Sequence, residues 1–321
     1  MIHTSISKPL IENCKNFLDF RKTTTLKSLE YFFKQVIFVG WGRKKSGHWA
    51  VKMAKLTNNK FLLLEDGFIR SFGLGVEGSP SFSLVKDDIG IYYDATSPSK
   101  LENILNTYNF KDDSALMDCA KEAIEKIIRY KISKYNNSNK VNLDFLDTKK
   151  DKVLIIAQTF GDSSLEYGLG YNISTLKMIN DAIEDNPSSE IYIKVHPDVI
   201  GGIKKSDIDI EQVSKKCKII TKNINSILLL SYFNKIYTKT SGMGMEALLL
   251  KKEVYCYGLP FYAGWGLTLD KQSISRRNRK LEVEELFAGA YILYTEYYNP
   301  YLNKKVDILE VIEYLNENKK L

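Results

Sequence analysis

The segment VLIIAQTFGD, residues 153–162, is the most informative part of the sequence for the fold. Its first four residues form a short apolar run, which is typical of a strand buried on both faces of a parallel sheet. The run leads directly to Gln158 and Asp162, and Gly161 allows the backbone to bend between them. In open α/β sheets, ligands bind at the carboxyl ends of the strands. The stretch therefore predicts an α/β fold and marks one candidate binding position.

Similar strand-like runs occur on both sides of this stretch and alternate with segments of helical periodicity. They cover residues 36–39, 61–64, 191–195, 218–220, 235–237 and 254–257, and residues 81–93 predict a further strand or hairpin. Helices are predicted over residues 113–130, 174–184, 224–232, 282–294 and 307–318. Strands that alternate with helices predict parallel sheets.

The polar segment 136–140 separates the two series of strands and is the best linker candidate. We therefore predict two Rossmann-like domains with a cleft between them, over residues 1–140 and 151–290. Residues 291–321 are predicted to be C-terminal helices that pack back on the first domain.

The composition limits the possible functions without selecting one. A chain of 321 residues with 44% hydrophobic composition can form more than one domain. The net charge of +7 suits anionic small molecules, an anionic membrane or nucleic acid, and it also suits simple solubility. Basic and acidic residues are interspersed and no nucleic-acid-binding module is evident, so no nucleic acid partner is expected.

The cysteines and the hydropathy pattern indicate where the protein works. Four widely spaced cysteines predict reduced thiols, with no disulfide framework and no metal site. No signal peptide is visible, and no apolar run approaches the roughly 20 residues that span a bilayer. We expect a cytoplasmic protein that is peripheral at most.

Several candidate residues follow predicted strands in the second half. Asp162 suits either a functional role or a helix cap, which Asp favours. Lys194 and His196 lie on the same face of one strand before Pro197, where they can contact a phosphate or a sugar carboxylate. The three histidines of the chain lack clustered carboxylate partners, so no metal site is predicted.

The segment TSGMGME, residues 240–246, combines small hydroxyl residues and glycines at the start of a helix. Thr240 and Ser241 would leave free N–H groups there, which is a ready anion site. Glu246 can accept hydrogen bonds from ribose hydroxyls. Alternatively, it forms a capping box that satisfies the backbone.

The loop GLPFYAGWGLTLD, residues 258–270, places Tyr262 and Trp265 between glycines. An aromatic ring on such a loop can stack on a base or a sugar. The alternative is a packed domain corner. Arg276 and Arg277 follow the loop and can pair with a phosphate or a carboxylate.

The first half holds a comparable set of residues. Trp41 stands between two glycines and is followed by a basic cluster that includes Lys44. Glu65, Asp66 and Arg70 follow the strand predicted at 61–64. These side chains would face the cleft from the opposite domain.

Taken together, these strings resemble the KpsC-type β-Kdo transferases of capsular polysaccharide synthesis. The matching strings run in the family's order and are Gly40–Gly42, Glu65–Ser71, Gly90–Thr96, Ser133–Asn136, Gln158–Asp162, Lys194–Val199, Glu246–Leu248 and Pro260–Thr268. The resemblance implies a GT-B-like fold whose second domain binds most of the donor, CMP-Kdo. It implies no cofactor other than this donor substrate, and no metal.

The resemblance also implies a reaction and its partners. Members of the family are retaining transferases that build a poly-Kdo linker on a phosphatidylglycerol-type lipid. The expected partners are CMP-Kdo, a lipid-linked Kdo acceptor, the inner membrane and proteins of capsule assembly or export. Two departures occur, at residues 241–246, where the family usually has a bulky aromatic, and at residues 298–300, where Asp-Pro is usual.

Family members commonly carry two such modules in tandem, which make 2,4 and 2,7 linkages. This chain has length for one module, and its Gln158–Asp162 string resembles the 2,4-forming one. The alternatives are a 2,7-forming module, a different sugar-nucleotide enzyme on the same scaffold, and a non-catalytic export or scaffold protein.

The expected roles follow from the resemblance and from retention of configuration, which two inversions through an enzyme carboxylate achieve most simply. Asp162 would be the nucleophile and His196 a second catalytic residue. Donor contacts are expected from Gln158, Lys194, Thr240, Ser241, Glu246, Tyr262, Trp265 and Arg276. Acceptor contacts are expected from Trp41, Lys44, Glu65, Asp66 and Arg70. Either first-domain carboxylate can serve as the base that activates the acceptor hydroxyl.

Overall fold

The computed structural model of the chain describes residues 2–18, 35–75, 78–137, 141–146, 149–195, 199 and 205–319. Within these residues the strands form two six-stranded sheets, each flanked by helices. The two Rossmann-like α/β units and the cleft between them, which the sequence predicts, are thereby confirmed.

The first sheet has the strand order β1-β2-β3-β4-β11-β12. Its strands are β1 (Ile2–Thr4), β2 (Ile37–Trp41), β3 (Lys60–Asp66), β4 (Ser83–Asp87), β11 (Thr295–Asn299) and β12 (Lys304–Lys305). β1, β2 and β3 are parallel, but β4 runs antiparallel to both β3 and β11. The expectation of a wholly parallel sheet is therefore wrong for this unit, because no helix among the described residues crosses over between β3 and β4.

The second sheet has the order β10-β9-β8-β5-β6-β7 and is parallel throughout. Its strands are β5 (Lys152–Ile156), β6 (Glu190–Lys194), β7 (Lys218–Ile220), β8 (Lys235–Thr238), β9 (Glu253–Cys256) and β10 (Leu269–Asp270). Ile155 pairs with Ile193 on one side and Tyr237 on the other, and all three are fully buried. β5 and β8 are neighbours, so the segments that follow them emerge side by side.

The helices begin and end near the predicted residues, because their capping side chains are encoded locally. Ser99 and Asp113 accept hydrogen bonds from the backbone N–H groups of the first turns that they precede. The helices are α1 (Lys8–Cys14), α2 (Lys45–Thr57), α3 (Lys100–Thr107), α4 (Ser114–Tyr130), α5 (Ser163–Tyr167), α6 (Thr175–Asp185), α7 (Ile210–Ser214), α8 (Ser226–Ser231), α9 (Met243–Leu249), α10 (Val283–Phe287) and α11 (Ile308–Asn318). No helix among the described residues is long and apolar enough to cross a bilayer.

The C-terminal segment differs from its prediction as a pair of helices. α10 passes into a π-helix at Ala288–Leu293, and β11 and β12 follow before α11. Burial alternates along β11, with Thr295, Tyr297 and Asn299 facing inward. This period of two marks a strand, and its pairing with β4 places the segment in the first sheet. The domain boundaries themselves stay a prediction.

The two units are joined by a continuous apolar core and by buried ion pairs. Phe68, from the first unit, packs 4.8 Å from Phe261 of the second and 4.7 Å from Tyr291, between ring centroids. Glu102 of α3 accepts hydrogen bonds from Arg276 at 2.7 Å and from Arg277 at 3.2 Å. These contacts hold the carboxyl ends of the two sets of strands toward the same cleft.

Candidate functional site in the cleft between the two sheets

The segments after β5 and β8 form one hydrogen-bonded cluster at the edge of the second sheet. Gln158 Oε1 accepts from the backbone N–H of Thr240 at 2.8 Å, and Gln158 Nε2 donates to the Thr240 hydroxyl at 3.0 Å. The Ser164 hydroxyl lies 3.1 Å from the Thr240 hydroxyl. Because neighbouring parallel strands end at the same edge, the structure brings together residues that are about eighty positions apart.

Asp162 lies at this cluster and is exposed. One carboxylate oxygen caps α5 by accepting from the backbone N–H of Ser164 at 2.9 Å. The other lies 3.2 Å from Gln158 Nε2. The capping interpretation is therefore correct. The cap uses only one carboxylate oxygen, and the side chain remains exposed.

Lys194, at the end of β6, is half-buried, and its Nζ donates to the backbone oxygen of Val195 at 3.2 Å. Burial lowers the pKa of Lys194 to about 8, because the charged ammonium loses hydration. An amine of this kind gains from pairing with an anion. His196, the other basic residue predicted here, lies outside the described residues.

Several backbone N–H groups at the start of α9 have partners within the turn. The backbone N–H of Met243 donates to the Ser241 hydroxyl at 3.3 Å, and those of Gly244 and Met245 donate to the carbonyls of Ser241 and Gly242. These donors are satisfied within the turn itself, and the anion-site role predicted for Ser241 stays a prediction.

Glu246 is almost fully buried, with 8% of its surface exposed. Burial raises the pKa of Glu246 to about 7, although hydrogen bonds from Ser226 and from the backbone of Lys134 act in the opposite direction. The carboxylate therefore has partners within the fold, and the ribose contact expected of it stays a prediction.

Two predicted donor contacts, Tyr262 and Trp265, are fully buried. The Tyr262 hydroxyl donates to the backbone oxygen of Ser241 at 2.5 Å, and Trp265 Nε1 donates to the backbone oxygen of Phe261 at 2.8 Å. Neither ring presents a free face for stacking. The packed-corner alternative is the one that the structure adopts, because these rings fill the core of the second unit.

Arg276 is not free to meet a phosphate either. Besides its bond to Glu102, its guanidinium donates to the backbone oxygen of Ala95 at 2.7 Å. Arg277 is buried and donates to the backbone oxygens of Pro260 and Ala263. Both arginines tie the second unit to the first, so the expected donor contact of Arg276 is replaced by a structural one.

On the facing side of the cleft, Trp41 and Glu65 form a pair. Trp41 Nε1 donates to Glu65 Oε1 at 3.0 Å, and the backbone N–H of Asp66 donates to the same oxygen at 3.3 Å. Burial raises the pKa of Glu65 to about 7, and the neighbouring charge of Asp66 acts in the same direction. Lys134 and Lys44 partly oppose this rise.

Asp66 and Arg70 are paired with each other, with 2.9 Å between Asp66 Oδ1 and Arg70 Nε. Arg70 is buried, and it also donates to the Ser71 hydroxyl and to the backbone oxygen of Ser79. Arg70 thus has structural partners within the first unit, and its expected acceptor contact stays a prediction. Lys44, by contrast, is exposed at the start of α2.

Residues that the sequence did not single out complete the cleft. Burial raises the pKa of Tyr92 above its ordinary value, and the charges of Glu65, Asp66 and Asp162 add to the effect. Carboxylates from both units therefore lie near the Tyr92 hydroxyl, so they line the same cleft. His48 Nε2 lies 2.9 Å from the Tyr167 hydroxyl, so α2 meets the end of α5 across the cleft.

Lys134 is the other residue that the sequence analysis missed as a functional group. It lies in the string Ser133–Asn136, which was part of the family resemblance, but no local pattern indicated a role. Among the described residues, no group of three or more His, Cys, Asp or Glu side chains is placed to hold a metal ion. Chemistry without a metal stays a prediction.

Comparison with protein families and curated proteins gives consistent matches. The model of a family described as "Capsule polysaccharide biosynthesis protein" matches residues 36–301. The capsule polysaccharide modification protein LipA of Neisseria meningitidis is 39% identical over 287 residues, which is 86% of this chain and 40% of LipA. The lipopolysaccharide-processing protein LpsZ of Rhizobium meliloti is 35% identical, over 83% of this chain and 60% of LpsZ. The chain thus spans about half the length of the curated relatives it matches.

Two solved structures resemble this chain along almost its whole length. The β-Kdo 2,4 transferase of Thermosulfurimonas dismutans KpsC is 40% identical, with a TM-score of 0.88, over 98% of this chain and 97% of that one. The β-Kdo 2,7 transferase of the same KpsC is 32% identical, with a TM-score of 0.76, over 99% of each chain. The similarity covers both units and the cleft between them.

Proposed function

This chain belongs to the family of capsule polysaccharide biosynthesis proteins, and we propose that it is a retaining glycosyltransferase that moves Kdo from CMP-Kdo to a β-Kdo-terminated, lipid-linked acceptor. The observation that carries the proposal is its end-to-end structural similarity to the β-Kdo 2,4 transferase of KpsC. Identity and TM-score are both lower for the 2,7 transferase, which favours a β-2,4 linkage.

In the proposed reaction, a carboxylate oxygen of Asp162 attacks the anomeric carbon of Kdo as the bond to the CMP phosphate breaks. The acceptor hydroxyl then attacks the same carbon, displaces Asp162 and loses its proton to a base. Two inversions leave the configuration unchanged. Support comes from the exposed oxygens of Asp162 and from Gln158, whose amide orients one of them.

The departing CMP needs charge stabilisation more than a proton, because its phosphate is already a stable anion. Lys194 suits this role, since burial leaves its ammonium in need of a negative partner. We assign the base role to Glu65 rather than to Asp66. A general base works best with a pKa near the working pH, and Asp66 is held by Arg70.

A lipid-linked acceptor implies that the enzyme works at the inner membrane, next to the proteins that assemble and export capsule. That placement and those partners are part of the proposal. CMP-Kdo is the donor substrate, and no cofactor is required by the proposed steps.

The experiment compares wild-type protein with Asp162→Asn on CMP-Kdo, generated in situ, and a synthetic acceptor that ends in β-Kdo. Asn caps helices about as well as Asp, so this variant keeps the cap and removes the nucleophile. We expect wild type to add one β-2,4-linked Kdo, identified by mass spectrometry and NMR. Asp162→Asn is expected to bind CMP but transfer nothing.

The matched control is Asp209→Asn, because Asp209 caps the five-residue helix α7 in the same way. It is expected to transfer Kdo at the wild-type rate. Full activity of Asp162→Asn would disprove the nucleophile assignment. A β-2,7 product would change the linkage, and a wild-type protein that neither binds CMP nor transfers Kdo would favour a non-catalytic scaffold.

A further inference from the structure

Lys134 lies in a segment that is held firmly by the first unit. Its backbone oxygen accepts from the N–H groups of Arg70 at 3.0 Å and Ser71 at 3.3 Å. The backbone N–H of Asn136 donates to the oxygens of Ser71 and Phe72 at 3.2 and 2.7 Å. The backbone that carries the Lys134 side chain is therefore held in place by hydrogen bonds.

The nearby carboxylates that raise the pKa of Lys134, those of Asp66 and Glu65, each have another partner. Burial alone would lower the pKa of Lys134, yet Tyr92, Tyr135, Asp66 and Glu65 together raise it above its ordinary value. Asp66 is paired with Arg70 at 2.9 Å, and Glu65 accepts from Trp41 at 3.0 Å. Lys134 thus stays charged beside carboxylates that are already engaged.

Lys134 makes no ion pair within 4.0 Å with any residue in the described parts of the chain, and its ammonium lies 5.8 Å from the Tyr135 ring centroid. A half-buried ammonium without a direct counterion gains from pairing with an anion that enters the cleft. This position is next to Glu65, the proposed base, on the side of the cleft assigned to the acceptor.

We propose that Lys134 binds the carboxylate of the acceptor's terminal sugar and thereby places the acceptor hydroxyl beside Glu65. This inference rests on the proposed function and deepens it, because it names the group through which an acidic sugar acceptor is selected. A neutral sugar would leave the ammonium unpaired in the closed cleft. Lys134 is then the residue that gives the acceptor site its requirement for an acidic sugar.

The test is a cycle of two changes, one in the protein and one in the acceptor. Wild type and Lys134→Met are assayed with the β-Kdo-terminated acceptor and with the same acceptor whose terminal carboxylate is converted to a carboxamide. For wild type, the carboxamide is expected to raise the acceptor KM about tenfold or more, because a charge-assisted contact is lost. For Lys134→Met, the two acceptors are expected to have equal KM values, both near that of wild type with the carboxamide.

Two readouts separate this role from a merely structural one. The Kd for CMP is expected to stay within about twofold of wild type, because donor contacts lie on the other unit. Lys134→Arg keeps the charge and is expected to recover most of the preference for the carboxylate, and it serves as the test if Lys134→Met does not fold. Lys177→Met, at an exposed position on α6, is the matched control and should behave as wild type.

The inference would be overturned if the carboxamide raised the acceptor KM equally in wild type and in Lys134→Met. It would also be overturned if Lys134→Met weakened only the binding of CMP-Kdo. In either case, wild-type transfer would leave the proposed function standing. A wild-type protein that transfers no Kdo would instead overturn the proposed function, and this inference with it.

Discussion

The side-chain amide of Gln158 holds Thr240 at two points, its backbone N–H at 2.8 Å and its hydroxyl at 3.0 Å. Gln158 follows β5 and Thr240 follows β8, so one amide ties two neighbouring strand ends together. The same Nε2 lies 3.2 Å from Asp162. The proposed nucleophile is therefore oriented by a group that is itself fixed to the sheet.

Gln158→Ala is expected to lower kcat by about 10- to 100-fold, because a hydrogen bond to a charged group contributes about 1.5–3 kcal/mol. Initial rates of Kdo transfer at saturating acceptor measure this effect. Gln212→Ala, at an exposed position on α7, is the control and should keep the wild-type rate. A wild-type kcat for Gln158→Ala would show that the amide does not orient Asp162.

The rate should rise with pH through the pKa of Glu65, because only the deprotonated carboxylate can accept the acceptor's proton. With a pKa of about 7, kcat/KM is expected to increase about tenfold between pH 6 and pH 8. Glu65→Gln is expected to lower kcat/KM by about 10²- to 10⁴-fold and to remove this rise. A pH–rate profile of wild type and of Glu65→Gln measures this rise in kcat/KM.

Glu166→Gln is the control for that profile, since Glu166 is exposed on α5 near the same cleft. It should keep both the rate and the pH dependence of wild type. If the rise near pH 7 persists in Glu65→Gln, another group is the base.

CMP binding should weaken as the pH rises above the pKa of Lys194. The pKa of this amine is lowered to about 8, so its charge is present below that pH and is lost above it. If the phosphate needs the charge, the affinity is expected to fall by up to about eightfold between pH 7.5 and pH 9. Isothermal titration calorimetry at constant ionic strength measures the change.

Lys194→Arg should flatten that dependence, because a guanidinium stays charged throughout this range. Lys177→Arg, on the exposed face of α6, should leave the dependence as it is in wild type. A wild-type affinity that does not change between pH 7.5 and pH 9 would remove Lys194 from the donor site.

Glu102→Gln should destabilise the whole fold, because it leaves the buried Arg277 without its counterion. Glu102 and Arg277 expose only 6% and 3% of their side chains. Removing one partner of a buried pair costs about 3–5 kcal/mol. The free energy of unfolding from urea titration measures the loss, and Glu125→Gln, exposed on α4, is the control. A cost near that of the control would mean that this contact does not hold the units together.

Much of the fold could be predicted because its signals are local. The run before Gln158 identifies β5, and Ser99 and Asp113 mark helix starts by capping them. β11 was missed because its alternating burial follows a helical segment directly and depends on pairing with β4, more than two hundred residues earlier. A strand that is stabilised by a distant partner leaves only a weak pattern in its own sequence.

The α/β class, the family and most of the strands and helices follow from the sequence alone, because these depend on periodicity, caps and ordered motifs, whereas β11 and β12 do not. Which candidate side chains remain available for chemistry depends on long-range packing, which no local pattern encodes. Trp265 is buried in the core, and Arg276 donates to Glu102. Asp162, by contrast, stays exposed. Burial and ion pairing join residues far apart in the chain, and the pKa of Glu65 is shifted by its burial and by charges as distant in the sequence as that of Lys134.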